Sequence, residues 1–194
     1  MSMGMPSDKP YYTYGDYLQW PEGIRVELID GKVYNMSPGP NRIHQEIFGT
    51  LFNAFFNYLK DKPCKVYAAP FDVRLPKSSE TSDEDIKTVV QPDITVICDH
   101  SKLDDKGCKG APDLIVEIVS PTSLKTDVKT KLTLYEKHGV REYWIVYPSD
   151  KSVVVYRLQP DGNYVLADAY ARDEQMPVGI FDDFTIDLKE IFAD

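Results

Sequence analysis

Residues 111–147 constrain the fold more tightly than any other stretch of this chain. Leu114–Val119 is an apolar run with one carboxylate, Glu117, inside it. Val, Ile and Leu on both faces predict a strand covered on both sides, and an ionised Glu is rarely left there without a partner. Ser120-Pro121-Thr122-Ser123 ends the strand and offers N-cap groups to a helix over 124–138. At about 100° per residue, Leu124, Val128, Leu132 and Tyr135 share one arc, and Lys131 falls within about 20° of Leu124. Gly139 caps the helix, and Arg141–Tyr147 is again an apolar strand. Strand, helix and strand in that order predict a parallel pair joined by a right-handed crossover. One acid and one base thus stand on consecutive elements where apolar residues belong.

The remaining elements follow from shorter signals. Thr13-x-x-Asp16 reads as a capping box opening a helix over 14–20. Ile24–Ile29 and Lys32–Met36 flank Asp30-Gly31, a strong hairpin signal. Arg42–Leu59 predicts a long helix, with Ile43, Ile47, Leu51, Phe55 and Leu59 at i,i+4 spacing. Lys65–Leu75 and Val89–Cys98 read as strands, separated by a polar, acidic and mobile loop at 76–87. Residues 99–110 form a charged loop. Ser152–Leu158, Asn163–Ala167 and a segment near Phe184–Ile186 read as further strands. The predicted fold class is α/β (α+β), a mixed β-sheet flanked by helices. Residues 1–12 are expected to be a flexible tail and 13–194 one domain.

Composition excludes several classes. No run approaches the roughly 18 apolar residues of a membrane span, and the N-terminus shows no secretory signal pattern. Cys64, Cys98 and Cys108 match neither a zinc pattern nor a disulfide framework, so free thiols and a cytoplasmic location are expected. The net charge of −9 weighs against bulk electrostatic attraction to nucleic acid, though not against a local site that needs cations to approach phosphate.

Three groups are candidates for one site: Asp93 after Pro92, Glu117 (117 − 93 = 24 residues on) and Lys131 (131 − 117 = 14 further). If their strands are adjacent, the two carboxylates reach one ion. Mg²⁺ prefers oxygen ligands, few carboxylates, several waters and substrate phosphate. A nearby lysine can position water or offset developing charge. A duller reading has Pro92-Asp93 as a turn dipeptide and Glu117–Lys131 as a structural ion pair.

The ordered combination Pro92-Asp93, Glu117 in IVEIVSPTS, Asp127-x-x-x-Lys131-x-x-x-Tyr135 and Gly139-Val140-Arg141-Glu142-Tyr143-Trp144 resembles the Uma-type "putative restriction endonuclease" family. That family is a branch of the PD-(D/E)XK nuclease-like superfamily. Val26–Gly31, Met36-Ser37-Pro38 and His44 resemble it too. The resemblance spans roughly 14–147 and implies a restriction-endonuclease-like fold, with Asp93 and Glu117 as metal carboxylates and Lys131 as the active-site lysine. The superfamily signature would place a lysine two residues after Glu117, where Val119 stands; Lys131 takes its place. Glu27 and His44 are auxiliary candidates. The implied activity is Mg²⁺-dependent endonucleolytic hydrolysis of DNA, with Mn²⁺ able to substitute, by a homodimer. The alternative is a non-catalytic binding or regulatory protein on the same scaffold, which the acidic charge favours. On the endonuclease reading, Lys131→Ala or Glu117→Ala is expected to abolish cleavage while leaving the fold intact.

Overall fold

The structure is a computed structural model, and it describes residues 9–193 apart from 22, 37, 38 and 122. Ser37-Pro38 of the resemblance motif, Thr122 of the predicted cap and residues 1–8 of the expected tail lie outside the described residues. Chain order is α1 (Tyr14–Tyr17), β1 (Val26–Ile29), β2 (Lys32–Asn35), α2 (Arg42–Leu59), β3 (Lys65–Ala68), β4 (Val73–Arg74), β5 (Val89–Val90), β6 (Ile94–Ile97), β7 (Leu103–Asp104), β8 (Gly107–Lys109) and β9 (Leu114–Ile118). A wide π turn, Thr126–Lys131, runs into α3 (Leu132–His138). Then come β10 (Glu142–Tyr147), β11 (Ser152–Leu158), β12 (Tyr164–Ala171), β13 (Gln175–Pro177), β14 (Thr185–Asp187) and α4 (Leu188–Ile191).

Two six-stranded sheets, ordered β2-β1-β5-β4-β8-β7 and β12-β11-β10-β9-β6-β3, replace the expected single sheet. The break comes inside two segments that read as continuous strands. Lys65–Leu75 splits at Ala69-Pro70, and Val89–Cys98 splits at Gln91-Pro92-Asp93, so each contributes one strand to each sheet. Proline supplies no ladder donor, which makes these the natural crossing points. β9 is buried at every position and pairs in parallel with β10, as the crossover geometry requires.

α2 packs Ile47, Leu51, Phe55 and Leu59 onto one face of the second sheet, against Val116, Trp144 and Val146. The other face, with Ile97, Ile115, Tyr143 and Ile145, meets Val73 and Val90 of the first sheet and Tyr135 of α3. Alternation along β9 sends Glu117 to the same face as Ile115.

Local signals account for the ends. Thr13 and Asp16 form the reciprocal capping box, but α1 stops after one turn rather than reaching residue 20. Asp30 and Gly31, at φ 51° and 78°, make the two-residue β1–β2 turn. A Cβ at Gly31 would come within 2.6 Å of the Tyr11 Cβ, and the Tyr12 N–H donates to the Gly31 carbonyl. Residues 11 and 12, expected in the tail, are therefore tied to the hairpin.

The acidic segment 76–87 is pinned rather than mobile. Buried Arg74 and Lys106 both pair with Asp83, and the Lys109 ammonium donates to the Thr81 carbonyl at 2.8 Å. Within 99–110, β7 and β8 form a hairpin that polar composition concealed.

The expectation of three free thiols fails. The β3–β6 register pairs Lys65 with Ile97, which places Cys64 directly opposite Cys98, and the structure joins them in a disulfide. The compartment argument built on free thiols falls with it. Cys108 is buried, and burial pushes its thiol up to about 12. Native unreduced protein should therefore show no thiol reactive to an aromatic disulfide reagent, denatured unreduced protein one, and denatured reduced protein three. Three reactive thiols without reductant would contradict the pairing. Among the described residues no helix is long and apolar enough to cross a membrane.

Candidate active site

The β6–β9 register, Ile94 with Val116 and Thr95 with Ile115, continues to Asp93 opposite Glu117. Directly opposed residues project to the same face, so the two carboxylates are cross-strand neighbours at the point where the chain passes between sheets. The Asp93 Oδ2 accepts from the Ile118 N–H at 2.7 Å.

Lys131 approaches from the π turn. Its Nζ donates to Glu117 Oε1 at 2.8 Å and to Glu27 Oε1 at 2.9 Å, and lies 3.6 Å from Asp127 Oδ1. All four side chains are buried. A π turn brings residues four apart closer to one line than an α-helix does, so Asp127 and Lys131 share the inward side. Such widened turns are frequent at functional sites. Leu124, which anchored the predicted apolar arc, is 42% exposed instead; the inward line runs through Asp127, Lys131, Leu134 and Tyr135.

Supporting bonds fix each member. Tyr135 OH donates to Glu117 Oε1 at 2.8 Å, and the Gln91 N–H donates to Glu27 Oε1 at 2.9 Å. Both bonds to Glu117 fall on Oε1. The Gln91 side chain donates to Asp72, which also accepts from Tyr14 OH. Asp72 is thus a structural acceptor.

Charge is unbalanced here. Burial alone would lower the Lys131 pKa, but Glu117, Glu27 and Asp127 outweigh it and hold the ammonium well above its ordinary value. Burial, reinforced by Asp127, Asp93 and Glu27 and only partly offset by Lys131, holds the Glu117 carboxyl well above the usual carboxylate range. Burial also raises Asp127 and Tyr135. One lysine therefore faces several acids, an arrangement that favours uptake of a proton or a cation.

A cleft of about 590 Å³ opens onto this cluster, lined among others by Arg25, His44, Phe48, Asp93, Glu117 and Lys131. His44, in the first turn of α2, sets Nε2 3.3 Å from Asp93 Oδ2. Its Nδ1 is buried and finds no partner among the described residues.

The structure thus brings Asp93, Glu117, Lys131, Glu27 and His44 to one cleft. Glu27, an auxiliary candidate, is salt-bridged to the lysine. Asp127 and Tyr135 carry site contacts that the sequence reading did not assign; their i−4 and i+4 spacing from Lys131 was the available signal. Among the described residues, no three His, Cys, Asp or Glu side chains form a ready-made metal cluster. Two opposed carboxylates fit an ion that keeps most of its waters.

In fold the chain is of the restriction-endonuclease-like α+β class. A crystal structure of "a putative nuclease belonging to DUF820" from Anabaena variabilis ATCC 29413 superposes with a TM-score of 0.72 at 22% identity, covering 93% of this chain and 97% of that one. A Synechocystis protein, "Uncharacterized protein slr1290", is 25% identical over 182 residues, 92% of this chain and 91% of its own length. Residues 14–189 match the Uma2 family, described as "Putative restriction endonuclease", and the chain belongs to that family.

Proposed function

We propose that the chain is a divalent-metal-dependent endonuclease that hydrolyses DNA phosphodiester bonds, with Mg²⁺ as its ion and Mn²⁺ as a substitute. The observation that carries this reading is Asp93 opposing Glu117 across β6–β9, with the Lys131 ammonium 2.8 Å from Glu117 at the base of a cleft. Asp93 and Glu117 would hold the ion through hard carboxylate oxygens, which suits Mg²⁺ and Mn²⁺. When bound, the ion polarises phosphoryl oxygens and lowers the pKa of water.

The chain's own residues supply the rest. Lys131 stays charged, so it is an electrostatic group beside the reacting phosphate rather than a base. Glu27, fixed by the Gln91 N–H, and Asp127 hold that ammonium in place. Tyr135 holds Glu117 in one orientation from its buried side.

Calorimetry with Mn²⁺, paired with a plasmid-nicking assay in Mg²⁺, tests the reading. Wild type should bind the ion and convert supercoiled DNA to nicked or linear forms, and Asp93→Asn should do neither. Metal-independent nicking, or no metal binding at all, would favour a non-catalytic binding or regulatory protein on this scaffold.

A further inference from the structure

An aromatic row climbs out of the cleft along one flank of α2. Phe48, Phe52 and Phe56 stand four residues apart, so each step turns about 40° away from the buried line and advances about 6 Å along the axis. Phe48 lines the cleft, Phe48 and Phe52 rest on the core, and Phe56 is 58% exposed. The rings are near-parallel, their planes 24° and 21° apart and their centroids 5.7 and 6.2 Å apart. The next step of four reaches Lys60, exposed at the helix C-cap. At the cleft end stands Arg25. Its carbonyl accepts from the Met36 N–H, which extends the β1–β2 ladder by one pair. It precedes Glu27 by two residues, so alternation turns both to one face, and both line the cleft. Neither the Arg25 guanidinium nor the Lys60 ammonium has a hydrogen-bond or ion-pair partner among the described residues.

We propose that this row binds an unpaired DNA strand and leads it into the cleft, with Arg25 and Lys60 taking backbone phosphates at its two ends. As a statement about substrate this rests on the endonuclease reading above. Ring spacings of 5.7 and 6.2 Å exceed the base step of about 3.4 Å in a duplex strand, so the row suits bases that have been drawn apart. Stacking on aromatic side chains needs an open π-face, and within a duplex each base covers its neighbour. Gly49, three residues before Phe52, leaves room for such a base, since a Cβ there would meet nothing within 4 Å. Charge argues the same way. Among the cleft's lining residues Arg25 and Lys131 face Glu27, Asp93, Glu117 and Asp127, and Lys131 is already held by three of those acids. Duplex affinity comes mainly from neutralising many phosphates, which a chain of net charge −9 with two unpaired cations on this path is ill suited to do. Stacking is sequence-tolerant and draws on the rings themselves.

Fluorescence anisotropy of the full chain with a labelled single-stranded DNA oligonucleotide and with its duplex, in chelator so that nothing is cleaved, tests this. Wild type should bind the single strand about tenfold more tightly than the duplex. Its log K should fall against log salt with a slope near roughly −1.4, two phosphate contacts at about −0.7 each. Phe56→Ala should weaken single-strand binding roughly tenfold, about 1.4 kcal/mol, with an unchanged Tm because the ring is exposed. Phe56→Trp should bind at least as tightly as wild type, with its indole emission quenched by the single strand. Lys60→Ala should reduce the salt slope by about half. In Mg²⁺, Phe56→Ala should raise KM and leave kcat unchanged. Negatively supercoiled plasmid, which opens unpaired stretches more readily, should be cut faster than the same DNA relaxed. Equal affinity for the duplex, or a Phe56→Ala variant that binds like wild type, would overturn the proposal and leave metal-dependent nicking untouched. Single-strand binding that persists in a chain taking up no Mn²⁺ would remove the hydrolytic reading and keep the strand site.

Discussion

Lys131→Ala will lose both stability and cleavage. The ammonium is buried with Glu27, Glu117 and Asp127 around it, at 2.9, 2.8 and 3.6 Å. Truncation strands three buried carboxylates with no countercharge, and breaking a buried ion pair from one side costs about 3–5 kcal/mol. The expectation that this variant keeps its fold intact does not survive the geometry. Chemical denaturation should show the loss as a lower midpoint with an unchanged m-value. Cleavage under conditions where the variant is still folded should fall by roughly 10²–10³, the usual consequence of deleting one preorganised electrostatic group. A variant as stable as wild type would show that the lysine contributes no net stability at this place.

Glu117→Gln should do the reverse to stability and more to activity. Its amide oxygen still accepts from Lys131 and Tyr135, so the hydrogen bonds of Oε1 survive. What disappears is a charge whose protonated form the fold favours, since its pKa is raised by burial and by Asp127, Asp93 and Glu27. The folded chain binds that proton more tightly than the unfolded chain, so the carboxyl is least costly below the unfolded value near ~4.3. Its cost grows as pH rises toward the folded value. The Tm advantage of Glu117→Gln over wild type, measured without metal, should therefore widen from about pH 5 to about pH 8. Comparing the two proteins cancels the opposite contribution of surface acids such as Asp16 and Asp104, whose pKa values are lowered by Lys9 and Arg74. If Glu117 is one of two carboxylates holding the proposed ion, its loss should reduce cleavage by about 10³-fold or more, several kcal/mol of charge stabilisation. Stability gained together with activity lost is the mark of a site held at a cost to the fold.

Much of this was legible in the sequence because the signals were local. The Thr13 cap, the Asp30-Gly31 turn, the full span of α2 and the parallel β9–β10 pair each follow from a few adjacent residues. The acid and base at 117 and 131 stood out because each interrupts an apolar pattern. What escaped depended on register between distant segments. Cys64 and Cys98 are 34 residues apart, and only the β3–β6 pairing sets them face to face. The division into two sheets at Pro70 and Pro92 was hidden because the flanking runs are apolar on both sides of the break. Asp127 and the true inward line of the 124–138 helix were missed because a regular 100° step does not describe a π turn. The acidic loop read as mobile because its partners lie elsewhere in the chain, Arg74 on β4, Lys106 in the β7–β8 turn and Lys109 on β8.

The most direct test is an anomalous diffraction map from crystals grown with Mn²⁺. One peak bridging the Asp93 and Glu117 carboxylates, with the Lys131 ammonium beside it, is the expected result. A map with no peak there, or with Mn²⁺ held elsewhere in the cleft while those two carboxylates stay bonded only to protein, would contradict it.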